Sequence, residues 1–173
     1  MFLIEDKKFL SEKEKYHIDS RITNYDFPWF YQKINVYAKP DPFLSHTVVK
    51  RIEYREGEEF SNSTETDFCI NVLDLFCKKH NIKYNKILRI AFNLTFNNGS
   101  VKSGVHVDHE FDHKQLIVYL NDCDKKSYTV IKDGNKEIKI KPDKFKGVCF
   151  ESKPHYQIYP KNGVRFVLII TFS

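Results

Sequence analysis

The residues best suited to chemistry lie in Gly104-Val105-His106-Val107-Asp108-His109. On an extended chain successive side chains alternate between faces, so His106 and Asp108 project to the same side. An imidazole and a carboxylate so arranged are two metal donors. A third donor from a distant segment, for which His155 is the candidate, completes a two-histidine, one-carboxylate facial set that leaves three positions on Fe(II) open. Further on, Arg165 opens the otherwise apolar run Val164-Arg165-Phe166-Val167-Leu168-Ile169-Ile170. A buried guanidinium is costly without an anion beside it, and a bound dicarboxylate meets that need through the planar fork of donors. His-x-Asp alone decides little in a chain with seven histidines. His109 and His113 offer a rival zinc set, although a His-x-x-x-His pair shares a face only on a helix and its flanks here read as extended. Both then become loop residues lining the mouth of the site. His17, His46 and His80 read as surface or structural histidines.

Strands must carry these donors, and the chain supplies them late. After Tyr84 the apolar period falls from about 3.6 to 2, giving eight short runs at 87–96, 105–109, 115–120, 128–131, 137–140, 147–150, 155–159 and 164–172. Asp133-Gly134-Asn135 reads as the turn of a hairpin between the fourth and fifth. Before Tyr84 the reading is mixed. Ser11 with Glu14 signals a short helix, and Thr64 with Asp67 signals a capping box for an amphipathic helix over 64–80, closed by Lys78, Lys79 and His80. Asp26-Phe27-Pro28-Trp29-Phe30-Tyr31 is an aromatic knot that seals a core. A strand is expected at 34–37, ended by Pro40 and Pro42, a β-branched segment at 46–55, and a loop at 56–59. The sum is a mainly β chain with α elements (α+β), a double-stranded β-helix or jelly roll of eight core strands with N-terminal helices packed on one sheet. One domain is expected over 1–173, with 1–84 as support and 85–173 as the jelly-roll core.

Composition narrows the function classes. A chain of 173 residues with 15% aromatics can bury a core without staples. The formal charge of +5, from 28 basic and 23 acidic residues in mixed runs, reads as a solvated surface and does not establish nucleic-acid binding. Cys69, Cys77, Cys123 and Cys149 form no Cys-x-x-Cys pair, so idle thiols are expected. The N-terminus lacks a basic region followed by a long apolar run, which points to a cytoplasmic chain in which the sequons at Asn62, Asn93 and Asn98 stay unmodified.

Taken in order, His106-Val107-Asp108, Val118-Tyr119-Leu120-Asn121, Gly147-Val148-Cys149-Phe150, His155 and Arg165 resemble the Fe(II)/2-oxoglutarate-dependent dioxygenases, most closely the prolyl-4-hydroxylase-like branch. The resemblance covers about half the chain, and Phe27-Pro28-Trp29 is similar to a segment of its small phage and bacterial members. It implies that His106, Asp108 and His155 hold Fe(II) and that Arg165 pairs with the distal carboxylate of 2-oxoglutarate. Tyr119 and Ile117 match co-substrate-pocket positions. Thr129, in Lys126-Ser127-Tyr128-Thr129, matches the threonine of a Gly-Gly-x-Thr segment. Phe96 stands where relatives often have tyrosine, which leaves that co-substrate hydrogen bond either absent or supplied by Asn93. The implied reaction consumes O2 and 2-oxoglutarate, with ascorbate as an auxiliary reductant, and releases succinate and CO2 as a substrate is hydroxylated. A prolyl or other peptidyl side chain is the substrate this branch implies. Nucleic acid, a small metabolite, or a non-catalytic cupin-like metal-binding module remain open alternatives.

Overall fold

Residue parity organises the protein. In the computed structural model, which describes residues 1–33, 41–55, 61 and 63–173, β4 (Ile87–Phe96), β5 (Lys114–Tyr119) and β10 (Val164–Phe172) lie side by side and antiparallel. Their even-numbered residues Ile90, Phe92, Leu116, Val118, Leu168 and Ile170 join one core, while Ile117, Tyr119 and Val167 join another on the opposite face. Each strand is thus buried on both sides, which explains its nearly unbroken apolar sequence.

Around these three strands a seven-stranded sheet forms in the order β1-β8-β5-β10-β4-β3-β2, adding β1 (Leu3–Asp6), β2 (Phe30–Gln32), β3 (Phe43–Val49) and β8 (Gly147–Glu151). A smaller sheet, β7-β6-β9, comprises β6 (Thr129–Asp133), β7 (Lys136–Ile140) and β9 (His155–Gln157). The hairpin between β6 and β7 turns at Gly134, whose φ of +59° is the left-handed conformation that glycine adopts without strain. The two sheets enclose the second core, as expected of a jelly roll.

The outer face of the large sheet carries the helices. Helix α1 (Glu12–His17) starts at Ser11 with the expected capping box to Glu14 and runs into a π-helical turn over Ile18–Ile22. Helix α2 (Thr66–Lys79) buries Cys69, Val72, Leu73, Phe76 and Cys77 against Ile18, Ile22 and the even-numbered sheet residues. Packing is close: a Cβ on Gly147 would stand 2.8 Å from Phe9 and 2.9 Å from Phe76. Phe27 meets Trp29 at 5.1 Å and Phe92 at 5.5 Å between ring centroids, so the aromatic knot does seal this core. All four cysteines are free, and burial pushes the thiols of Cys69, Cys77 and Cys149 up.

Several expectations need correction. Among the described residues there are ten strands, and the first half supplies β1, β2 and β3 to the same sheet as the jelly-roll strands. Helix α2 is not capped by Thr64; Glu65 is the N-cap, without a side-chain bond, and Ser63 Oγ accepts its amide instead. The expected strand at 105–109 is a segment joined to β9 by a single bridge at His106–His155, with a second isolated bridge, Lys102–Ile158, just outside both. The strand at 34–37, Pro40, the loop at 56–59 and Asn62 fall outside the described residues.

Candidate active site

The failed strand at 105–109 is where the site begins. Beside β9 the ladder is interrupted because the Gln157 amide donates to Ser103 Oγ (3.1 Å), and because Gly104 uses its carbonyl to accept from His106 Nδ1 (3.1 Å). Local side-chain bonds here compete with the ladder. The exchange fixes the His106 ring: an Nδ1–H pointed at a carbonyl leaves the Nε2 lone pair free. His155 repeats the device, its Nδ1 lying 2.9 Å from the Lys153 carbonyl. In both cases the fixing carbonyl belongs to the second residue upstream.

The bridge between His106 and His155 brings their rings to 4.4 Å, and Asp108 completes the group, with one donor atom from each of the three within 4.8 Å of the others. Asp108 Oδ2 is 3.5 Å from His155 Nε2, whereas Oδ1 accepts from Arg51 Nη2 (2.9 Å) and faces Arg89 Nη1 (3.4 Å). Arg51 also donates to the Asp108 carbonyl. Burial acts to raise the Asp108 carboxyl, but the charges of His155, Arg89, His106 and Arg51 outweigh it and hold the group well below the usual carboxylate range. His155 is pushed down to about 4, chiefly by burial, against the pull of Asp108. A neutral imidazole and an ionised carboxylate at neutral pH are the protonation states that metal binding requires.

These residues line a cavity of about 820 Å³ between the sheets, together with Ile117, Asn93, Thr129 and Arg165. Arg165 is 3% exposed. It donates from Nη2 to Thr129 Oγ1 (2.7 Å) and from Nη1 to Gln157 Oε1, and lies 5.3 Å over the Tyr119 ring, while its Nε has no partner. Among the described residues no carboxylate pairs with it. A buried cation with an orphaned donor, opening on a cavity, fits an anionic ligand. Tyr119 is fully buried and lies behind the lining, donating its hydroxyl to Thr129 Oγ1 (2.7 Å); it supports the cavity wall and does not form it. Asn93 faces the cavity and accepts from Ser45 Oγ (2.8 Å).

His109 is a buried wall residue and not an exposed rim residue: its Nδ1 lies 2.6 Å from Glu53 and its Nε2 2.8 Å from Thr171 Oγ1. Both nitrogens are therefore engaged. His113 is also buried, with Nδ1 toward the Phe111 carbonyl (2.8 Å), and is not part of the lining. His17, His46 and His80 bond Glu65, Ser63 and Asp6 and are structural. Sequence reading did not single out Arg51, Arg89, Gln115 or Gln157. An arginine inside the β-branched segment and another inside the apolar β4 were the available signals, each a charge in an apolar surrounding that asks for a partner.

The sequence matches no protein-family model and no curated protein. Solved structures do resemble it. An oxidoreductase of the 2OG-Fe(II) oxygenase family from Burkholderia pseudomallei superposes at a TM-score of 0.78 with 13% identity, over 99% of this chain and 84% of that one. The chain has the fold of the 2-oxoglutarate- and Fe(II)-dependent oxygenases. A prolyl hydroxylase from Trichoplax adhaerens, in complex with a hypoxia-inducible-factor oxygen-degradation-domain peptide, gives 0.66 with 15% identity over 98% of this chain and 82% of that one. A Pseudomonas putida prolyl-4-hydroxylase gives 0.62 with 12% identity over 98% and 91%. Two imidazoles whose Nε2 atoms face the cavity and one ionised carboxylate form a donor set suited to non-haem Fe(II), and it is found here within this oxygenase fold.

Proposed function

We propose that this chain is an Fe(II)- and 2-oxoglutarate-dependent dioxygenase that hydroxylates a prolyl or other peptidyl side chain, with residues 1–173 acting as one domain. The observation that carries the reading is the conjunction, in one cavity, of the His106-Asp108-His155 group with a buried Arg165 that has no carboxylate partner among the described residues. The peptide-bound prolyl hydroxylase among the similar structures supports a peptide substrate.

His106 and His155 would hold Fe(II) through Nε2 and Asp108 through Oδ2, and the bound iron would supply activation of O2 and of the keto acid. The chain's own contribution is geometric and electrostatic. Carbonyls of Gly104 and Lys153 keep both rings aimed, so no reorientation is needed on loading. Arg165, steadied by Thr129 and Gln157, would take the distal carboxylate of 2-oxoglutarate. Ile117, Val167 and Ile169 give the cavity an apolar floor that excludes water from the reacting centre.

The test is turnover of 2-oxoglutarate to succinate with Fe(II), O2 and ascorbate, followed with and without peptide. Succinate formation that depends on His106, Asp108 and His155 is expected. Metal binding without any turnover would leave a non-catalytic metal-binding module, and absence of metal binding would remove the reading altogether.

A further inference from the structure

The rows of the large sheet fix what stands at each end of the cavity. Arg165 pairs with Thr95 across β10 and β4, and Thr171 pairs with both Arg89 and Gln115 in the row six residues further along. One end of the cavity therefore carries Arg165. The other carries Arg89 and Gln115, joined there by Arg51.

Charge at this second end is unbalanced once a metal is held. Arg51 and Arg89 share one carboxylate oxygen, Asp108 Oδ1. Resting on the reading above, a dication bound at Asp108 Oδ2 draws on that same single negative charge. Glu53 is the next acid, and its Oε1 already meets His109 Nδ1 at 2.6 Å. Glu110 stands exposed at the rim, where solvent screens it. Two guanidiniums and a dication then face two wall carboxylates and the keto-acid carboxylate of 2-oxoglutarate, which still leaves a positive charge in excess at this end and a place for a further anion. Beside them Gln115 Oε1 is buried without a partner, and its Nε2 lies 3.3 Å from the His155 Nε2 that the metal would occupy. Loading thus frees a complete carboxamide at the same end. Both arginine side chains reach the cavity, at 27% exposed for Arg51 and 16% for Arg89.

We infer that Arg51 and Arg89 form an oxyanion-binding end of the cavity that holds a carboxylate or phosphate of the substrate, a few bonds from the carbon that reacts. A prolyl substrate would then be recognised with an acidic group close to it, and a small free acid is the other source of the same chemistry.

The probes are inorganic phosphate and acetate, titrated anaerobically by calorimetry into protein loaded with Co(II) and saturating 2-oxoglutarate. Metal and 2-oxoglutarate binding are measured first on the same sample, so failure of the oxygenase reading shows at that stage. Saturable binding of either anion is expected, weakened about tenfold or more in Arg51→Gln and Arg89→Gln, unchanged in Lys136→Gln on β7, and weaker in metal-free protein, where Asp108 alone occupies both arginines. Arg51 lies at the lip, so Arg51→Gln serves as the test if Arg89→Gln fails to fold. Anion binding equal in wild type and variants means direct ligation of the metal and overturns the inference. Variants that change metal affinity while wild type binds neither anion reduce the arginines to positioning Asp108, and also overturn it. A proline peptide carrying a neighbouring Asp, compared with its Asn counterpart, separates the two sources. Preference for the Asp peptide assigns the anion to a peptide, and saturable acetate binding without that preference assigns it to a free acid.

Discussion

Arg165 shows how much one side chain can state about its ligand. It is buried, its Nη groups are met by neutral oxygens of Thr129 and Gln157, and its Nε is unmet. Neutral partners hold the guanidinium in place without cancelling its charge, which leaves that charge for something that enters the cavity. Replacing Arg165 with Ala should therefore raise the 2-oxoglutarate concentration needed for half-saturation by about tenfold or more, with Co(II) affinity nearly unchanged. Calorimetric titration of each ligand checks this, and equal losses of both would give Arg165 a general structural role. His106, Asp108 and Arg165 were legible as candidates because a donor tripeptide and a charge in an apolar strand are conspicuous in one dimension, whereas His155, a lone histidine, stood out only through its place upstream of Arg165. Arg51, Arg89, Gln115 and Gln157 were not legible, since their meaning depends on which strand lies beside which. Tyr119 shows the converse, with the right face of the strand but a place behind the lining.

Among the elements, strand β1 was concealed in the sequence. Four residues are too few for a period to register, and only hydrogen bonds to β8 make Leu3–Asp6 a strand. Its end is tied to helix α2: Asp6 Oδ2 lies 2.8 Å from both Lys79 Nζ and His80 Nε2, and Oδ1 accepts from the Lys8 amide at 2.6 Å. Burial acts to raise the Asp6 carboxyl, but hydrogen bonds from Lys79, Lys8 and His80 outweigh it and bring the group below its ordinary value. A depressed folded value means that the stabilisation is full above the unfolded value and is lost as pH falls through the folded one. Asp6→Asn should accordingly cost about 1 kcal/mol or less at pH 7, since Lys79 is partly solvated. The difference from wild type should shrink as the pH falls through the folded value and disappear once Asp6 is protonated in both states, and urea unfolding at pH 7 and along an acid series measures it. The segment at 105–109 failed as a strand for a related reason: the ladder bonds it lacks are spent on holding His106 and Gln157.

At the scale of the whole molecule, the change of period after Tyr84 made the jelly roll legible. The seven-to-three division of strands was not legible, because sheet membership is set by long-range pairing. Among the described residues no helix is long and apolar enough to cross a membrane. The cavity is walled by both sheets and by the segment bearing His106 and Asp108, so ligands that fill it should clamp these parts together. Saturating Co(II) at about a hundred times its dissociation constant should add about 2.7 kcal/mol. That corresponds to a rise of about 5–10 °C in the melting temperature, absent in His155→Ala and readable by calorimetric scanning. The pairing of β4 with β10 carries one more consequence. Arg89 and Thr95, whose rows hold the two charged ends, are separated by six residues of one strand, about 20 Å at the usual rise. The backbone is in effect a ruler with a two-residue graduation. Inserting a single residue in β4 between these rows would turn Arg89 out of the cavity, whereas inserting two would keep its direction and lengthen the interval by about 7 Å. Ligand length in this scaffold can thus change only in discrete steps.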